Sequence, residues 1–291
     1  MNSMNREVFG KVDAQALPKP ILWRLMLPLS AIIFLMIALG GAIIYRQNKL
    51  LLDYRIRQNA ERISAAFHAE VEDLAEGMNL ALFSISSDPR VINAMINKDR
   101  ETLFEDWHPV FQNMLNINSV NHFTFLDKDR VRLLRVHNPD QSSGIINRHT
   151  VLEAQRTGKP SWGIELEMGS REVPTLRCVF PVFHGRDLIG YVELGKDLEN
   201  ILNQVFKRTK SPLALLIDKQ FVNREGWENT MRELGRDSNW ERLSQNVIMY
   251  ATDEVMPDRL INTVPQAKVK KNSSDLRLNT NGHRWHVSSL S

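Results

Sequence analysis

Between Arg24 and Arg46 the chain runs for 21 residues, 25–45, without a charged side chain, and the run is rich in Leu, Ile, Ala and Met. As a helix rising ~1.5 Å per residue it reaches about 30 Å, the thickness of a bilayer hydrocarbon core. No other segment matches it. The expected architecture is a large polar region held to a membrane by one N-terminal helix, with lipid as the partner of 25–45. The main rival is a cleavable signal peptide, and Ala38-Leu39-Gly40 mimics a small-x-small cleavage site. A signal core spans roughly 7–15 residues, however, and this run is longer and follows a polar lead. A buried soluble helix would carry a polar stripe, which is missing here. Pro28 falls in the first turn, where a missing N–H does little harm. The Gly40-Gly41 pair would allow close approach of another helix.

Charge does not orient the segment. Arg6, Lys11, Lys19 and Arg24 precede it, and Arg46, Lys49, Arg55, Arg57 and Arg62 follow it. Four against five leaves the positive-inside rule undecided. The whole chain has 37 Lys plus Arg against 34 Asp plus Glu, a net charge of +3. So balanced a chain offers no electrostatic case for nucleic acid. Its 43% apolar content is ordinary for a chain that builds cores. The one cysteine, Cys178, excludes an internal disulfide and a multi-Cys zinc site. It lies in an apolar strand pattern, which points to a buried, inert thiol.

Beyond the membrane run, Ile56, Ala60, Ile63, Phe67, Val71, Leu74, Met78, Leu82 and Ile85 recur at steps averaging 3.6. They predict one long amphipathic helix that continues the membrane helix. Asp88-Pro89 supplies a stop, an N-cap and a first helical residue for a short helix. A further helix carries Leu103, Trp107, Val110, Phe111 and Met114, with a kink expected at Pro109. From His122 the period changes to two. A hairpin is expected with strands around Phe123 and over 131–137, joined by Asp127-Lys128-Asp129-Arg130. A helix over 150–156 ends at Gly158. Strands follow at 162–167, 175–183 and 188–194, then a helix at 198–207. A second cycle begins with a strand at 213–217, helices at 227–234 and 240–243, and a strand at 247–250. The residues 276–278 and 285–290 pair across a turn that contains Asn281-Gly282. The sum is an α+β chain, antiparallel sheets with helices on one side. Trp107, Trp227, Trp240 and Trp285 fit core anchors, and Trp23 fits the membrane border.

The segments Leu134-Arg135-Val136-His137-Asn138-Pro139, Gly158-Lys159-Pro160, Trp162-Gly163-Ile164-Glu165, Leu176-Arg177-Cys178-Val179-Phe180-Pro181-Val182-Phe183 and Leu188-Ile189-Gly190-Tyr191-Val192-Glu193-Leu194-Gly195 resemble the membrane-distal module of double Cache sensor domains. The third double-Cache type, carried by bacterial histidine kinases, chemoreceptors and diguanylate cyclases, is the subgroup most similar. Leu216-Ile217-Asp218-Lys219, Trp227-Glu228 and Met231-Arg232-Glu233-Leu234-Gly235-Arg236 resemble the start of the membrane-proximal module. The resemblance implies two PAS-like antiparallel-sheet modules. It implies a cytoplasmic tail at 1–24, a transmembrane helix at 25–45, and a long helix with a helical segment at 46–121. The distal module would take 122–210 and the proximal module, incomplete, 211–291. It further implies a single-pass placement in the bacterial inner membrane, with the bulk outside the cytoplasm, and a homodimer. Such receptors carry a second membrane helix and an output domain. Neither is in this sequence, so the chain is expected to be truncated or a shortened form.

Candidate binding residues follow from strand alternation. Leu133, Arg135 and His137 share one face of their strand, and Arg177 shares a face with Val179. Arg135, His137, Arg148 and Arg177 can converge in a cupped site, with Trp162 as an apolar wall. Such a donor set suits a small anionic or zwitterionic metabolite, held by charge-assisted bidentate bonds. The competing reading is that Arg135 and Arg177 form structural ion pairs with Glu165 or Glu193. Catalytic signatures are missing: no Gly-x-Ser-x-Gly, no phosphate-binding Gly-rich loop, no His-Glu-x-x-His and no calcium loop occur. Glu165 and Glu167 alternate on one strand face, a pattern that solvated edges often show. No metal or cofactor is expected. The function expected is a small-molecule sensor region of a bacterial membrane receptor, signalling through its N-terminal helix. The alternative is a membrane-tethered binding or scaffold protein without its own output.

Overall fold

The computed structural model describes residues 19–141, 144–166, 173–253, 276–280 and 283–287, with 19–22 and the last two segments as backbone elements. The chain divides into two compact units, Met1–Gln58 and Asn59–Ser291. Helix α1 (Lys19–Ser86) contributes to both and is unbroken at Gly77. In the first unit every side chain from 23 to 39 is exposed, Leu, Ile, Met and Phe included. A helix apolar all round has no stable place in water, because burying each such side chain is worth about 1.5–3 kcal/mol. Among the described residues it is the one helix long and apolar enough to cross a bilayer.

In the second unit α1 becomes one-sided. Phe67, Val71, Ala75, Met78, Leu82 and Ile85 are buried, close to the row that the periodicity predicts. Asp88 accepts a hydrogen bond from the Arg90 N–H at 2.8 Å and starts helix α2 (Pro89–Asn97). Asp99 accepts one from Thr102 at 3.1 Å and starts helix α3 (Arg100–Asn118), which continues past Pro109. Both caps satisfy backbone donors that have no partner within the helix.

A five-stranded antiparallel sheet follows. Its strands are β1 (His122–Asp127), β2 (Arg132–Arg135), β3 (Ser161–Leu166), β4 (Pro174–His184) and β5 (Asp187–Asp197), in the order β2-β1-β5-β4-β3. The first strand is therefore an interior strand and pairs with β2 and β5, and β5 is central. Two sequence expectations are corrected here. Helices cover both faces, not one. Helices α1, α2, α3 and α5 (Leu198–Thr209) pack on the face of Phe123, Phe125, Leu134, Cys178, Val192 and Leu194, and α4 (His149–Thr157) packs on the other with Leu126, Val179 and Tyr191. The reason is topological: α4 carries the chain from edge strand β2 to edge strand β3, and crosses the free face to do so. The strand expected to reach His137 ends at Arg135, and Val136 and His137 form a turn.

Close packing fixes Gly190. A Cβ there would lie 2.1 Å from the Leu126 carbonyl oxygen and 2.6 Å from the Met95 methyl. Cys178 is fully buried against α1, and burial pushes its thiol pKa up to about 12, the inert state that its position suggests.

Strands β6 (Ala214–Asp218) and β7 (Asn246–Ala251) form a second antiparallel sheet. Trp227 and Met231 of helix α6 (Arg224–Glu233) pack against Val247 and Met249 of β7. Of the expected helix at 240–243, Trp240–Arg242 form a single 3-10 turn. Strands β8 (Leu276–Thr280) and β9 (His283–Val287) pair with Thr280 opposite His283, while the Asn281-Gly282 turn and Glu167 lie outside the described residues.

Candidate ligand-binding site

Phe125 and Leu134 face the helical core across the β1–β2 ladder, so the next pair, Thr124 and Arg135, faces the α4 side. On β4 and β5 the same alternation sends Thr175, Arg177, Glu193, Gly195 and Asp197 to that side. The result is a band of charge beside the apolar patch of Leu126, Val179 and Tyr191.

Glu193 is its centre. The carboxylate is fully buried, and Arg177 donates to it at 2.7 Å from the neighbouring strand. Arg148, the residue that precedes α4, donates to the same carboxylate at 2.7 Å and lies 3.7 Å from Glu165. Burial alone would raise the Glu193 pKa, but the two guanidiniums outweigh it and hold the group at about 2. Glu165 accepts hydrogen bonds from the Thr150 backbone N–H at 2.7 Å and from its hydroxyl at 3.0 Å. Its charge thus sits at the positive N-terminal end of α4.

A second anionic point lies four residues along β5. Asp197 meets His122 at 2.9 Å, accepts from Asn121 Nδ2 at 2.6 Å and accepts from the Thr175 hydroxyl at 3.2 Å. Gly195, between the two carboxylates, is buried and closely packed. A Cβ there would meet His122 and Thr175 at 3.1 Å each. Tyr191 is fully buried on the same face, and its hydroxyl has no hydrogen-bond partner.

Of the residues that the sequence nominates, Arg135, Arg148 and Arg177 do share this face. Arg135 donates to Gln141 at 2.8 Å. Arg177 makes the ion pair of the alternative reading, with Glu193. His137 stands at the margin, its ring 5.0 Å from His122 and 6.2 Å from Phe111 of α3. Its Nδ1 lies 3.1 Å from both the Phe123 N–H and carbonyl. Burial, reinforced by nearby His122 and Arg135, lowers its pKa to about 3, so the ring is neutral at physiological pH. Trp162 is not part of this band. It lies opposite Cys178 in the β3–β4 ladder, on the α1 side, and lines a groove with Phe83 and Phe180. One intervening residue, Gly163 opposite Arg177, decides the face. Sequence reasoning missed Asp197, Thr175, Gly195 and Tyr191. The period-2 alternation of β5, extended three residues past Leu194, would have found the first.

The family model described as a double sensory domain of two-component sensor kinase matches residues 58–243. No curated protein matches. Several solved structures are similar at low identity. The periplasmic domain of Vibrio cholerae LuxQ is 16% identical, with a TM-score of 0.45, and the match covers 79% of this chain and 94% of that one. The sensory domain of the Campylobacter jejuni chemoreceptor Tlp3, solved with isoleucine bound, is 12% identical over 80% and 86%, with a TM-score of 0.43. The Escherichia coli DcuS sensor domain is 15% identical over 48% and 98%, with a TM-score of 0.40. The family model spans well over half of the chain: this is a sensor region, and it belongs to the third double Cache family, the double sensory domains of two-component sensor kinases.

Proposed function

We propose that this chain is the extracytoplasmic small-molecule sensor region of a bacterial membrane receptor. Residues 25–45 sit in the bilayer, 1–24 in the cytoplasm, and the folded unit outside. The ligand is a small anionic or zwitterionic metabolite bound on the α4 side of the five-stranded sheet. The observation that carries this reading is the buried Glu193 carboxylate, clasped by Arg148 at the head of α4 and by Arg177 of the sheet. A ligand carboxylate competes with Glu193 for these guanidiniums through charge-assisted bonds. The band alternates in sign, with Arg135, Arg148 and Arg177 set against Glu165, Glu193 and Asp197. Such alternation favours a zwitterion over a bare anion, its ammonium directed to Asp197 or Glu193 and its carboxylate to the guanidiniums.

The packing supports transmission through α1. Arg148 belongs to the start of α4 and Glu193 to β5, and Val192 and Leu194 on the opposite face of β5 share one core with the buried row of α1. A ligand that exchanges the partners of Glu193 biases the position of the sheet against α1, and α1 runs on towards the membrane.

The test is calorimetry on the full chain in lipid nanodiscs against a panel of amino acids and organic acids. Binding of at least one zwitterionic or anionic compound is expected. Loss of about tenfold or more in affinity is expected for Arg135→Ala and Arg148→Lys, one strong charge-assisted contact each. Binding that survives both substitutions overturns the site.

A further inference from the structure

The face of the sheet opposite that band carries a groove of different chemistry. It has a volume of about 390 Å³ and lies between α1 and the outer strands β3 and β4. Glu72, Glu76 and Asn79 of α1 line it, with Phe83, Phe180 and Trp162 as walls. Three observations describe what it accepts. Both charges on its lining are negative, and no Lys, Arg or His contributes to it. The Asn79 side-chain oxygen is buried and has no hydrogen-bond donor. The Phe83 and Phe180 rings meet edge to face at 6.4 Å and 71°, while Phe83 and Trp162 remain 61% and 46% exposed.

We infer that this groove is a second ligand site, for a small protonated amine with an apolar body. An ammonium group carries donors only, and every charged group on the lining is a carboxylate acceptor. Aromatic faces attract a cation through their quadrupole and take the apolar body of the same molecule. The volume lies within the roughly 300–1,000 Å³ typical of small-ligand sites. An anion finds no cationic partner here, and a neutral apolar molecule leaves both carboxylates without one. The site goes beyond the sensor reading above and does not depend on it. It uses the other face of the sheet, different residues and a ligand of opposite charge. It also places a ligand directly on α1.

The probe is 2-phenylethylammonium, titrated calorimetrically into the full chain in lipid nanodiscs, with neutral 2-phenylethanol and anionic 3-phenylpropanoate as comparisons. The amine is expected to bind saturably, and the two comparison compounds about tenfold more weakly or not at all, since a cation–π contact joined to an ion pair is worth about 1–2 kcal/mol. The exposed double substitution Glu72→Gln/Glu76→Gln is expected to weaken the amine about tenfold with an unchanged melting temperature, and Trp162→Ala to weaken it by a similar factor. Equal affinity for amine and alcohol overturns the proposal, as does binding indifferent to all three substitutions. Lack of saturation at millimolar amine also overturns it. If Trp162→Ala instead halves the mass seen by light scattering while the amine fails to bind, a second copy of the chain covers the groove and the amine site is rejected.

Discussion

Arg177 and Glu193 sit on neighbouring strands two residues out of register, and their side chains meet at 2.7 Å with 2% and 0% of their surface exposed. Directly opposite Arg177 is Gly195, which offers no side chain, so the guanidinium can lean along the sheet to Glu193. Arg148 closes the cluster from α4. Buried ion pairs gain little over apolar packing, but removing one partner strands the other charge away from water. The cluster is therefore a sensitive point of the fold.

Glu193→Gln leaves two guanidiniums facing a neutral amide. The expected loss of stability is about 3–5 kcal/mol. Denaturant titration of the full chain in detergent micelles measures it. A change below ~1 kcal/mol would show that Arg148 and Arg177 do not depend on this carboxylate.

Acid should act through the same group. The folded Glu193 pKa is lowered from 4.5 to about 2. Its contribution is therefore complete above the unfolded value near 4.5 and is lost as the pH falls through about 2. Melting temperatures between pH 5 and pH 2 should fall more steeply for the natural chain than for Glu193→Gln. Parallel curves would contradict the assignment.

His137 gives a slope at higher pH. Its folded pKa of about 3 lies below the ordinary 6.5, so the native state resists a proton that the unfolded chain accepts. Stability from this residue is complete above about 6.5 and is lost as the pH drops from there towards 3. By pH 5 the loss amounts to about 2 kcal/mol. The His137 ring signals in a nitrogen–proton correlation spectrum should report a neutral imidazole at pH 5. A titration midpoint near 6 would refute the prediction.

Two glycines separate steric from conformational need. Gly190→Ala forces a methyl to within 2.1 Å of a backbone oxygen, so the β1–β5 ladder must shift, at a cost of about 2–3 kcal/mol. Gly185→Ala has open space but a φ of +65°, and about 1 kcal/mol of left-handed strain is expected. Thermal denaturation of the two variants should rank them in that order.

The exposed apolar stretch of α1 is tested by charge. Leu35 is 59% exposed in the middle of the uncharged run. Leu35→Arg should oppose insertion by about 2.5–3.5 kcal/mol. Alkaline extraction of membranes should release the variant and retain the natural chain. Full retention of both would place the anchor elsewhere.

The sequence alone determined the elements whose cause is local. An uncharged run of bilayer length is legible without tertiary context, and the buried row from Phe67 to Ile85 follows from the helical period. The caps at Asp88 and Gly158 and the hairpin turn at Gly185 are likewise short-range chemistry. Tertiary structure decided what depends on which strands become neighbours. No periodicity reveals that β1 lies between β2 and β5, or that α4 crosses to the free face. That order is set by how helices and sheet together bury apolar surface. It brings Arg148, Arg177 and Glu193 together from 45 residues of chain, and it turns Trp162 away from them. A one-residue change in register reverses a strand side chain, so the composition of a site on a sheet is fixed only when its ladders are.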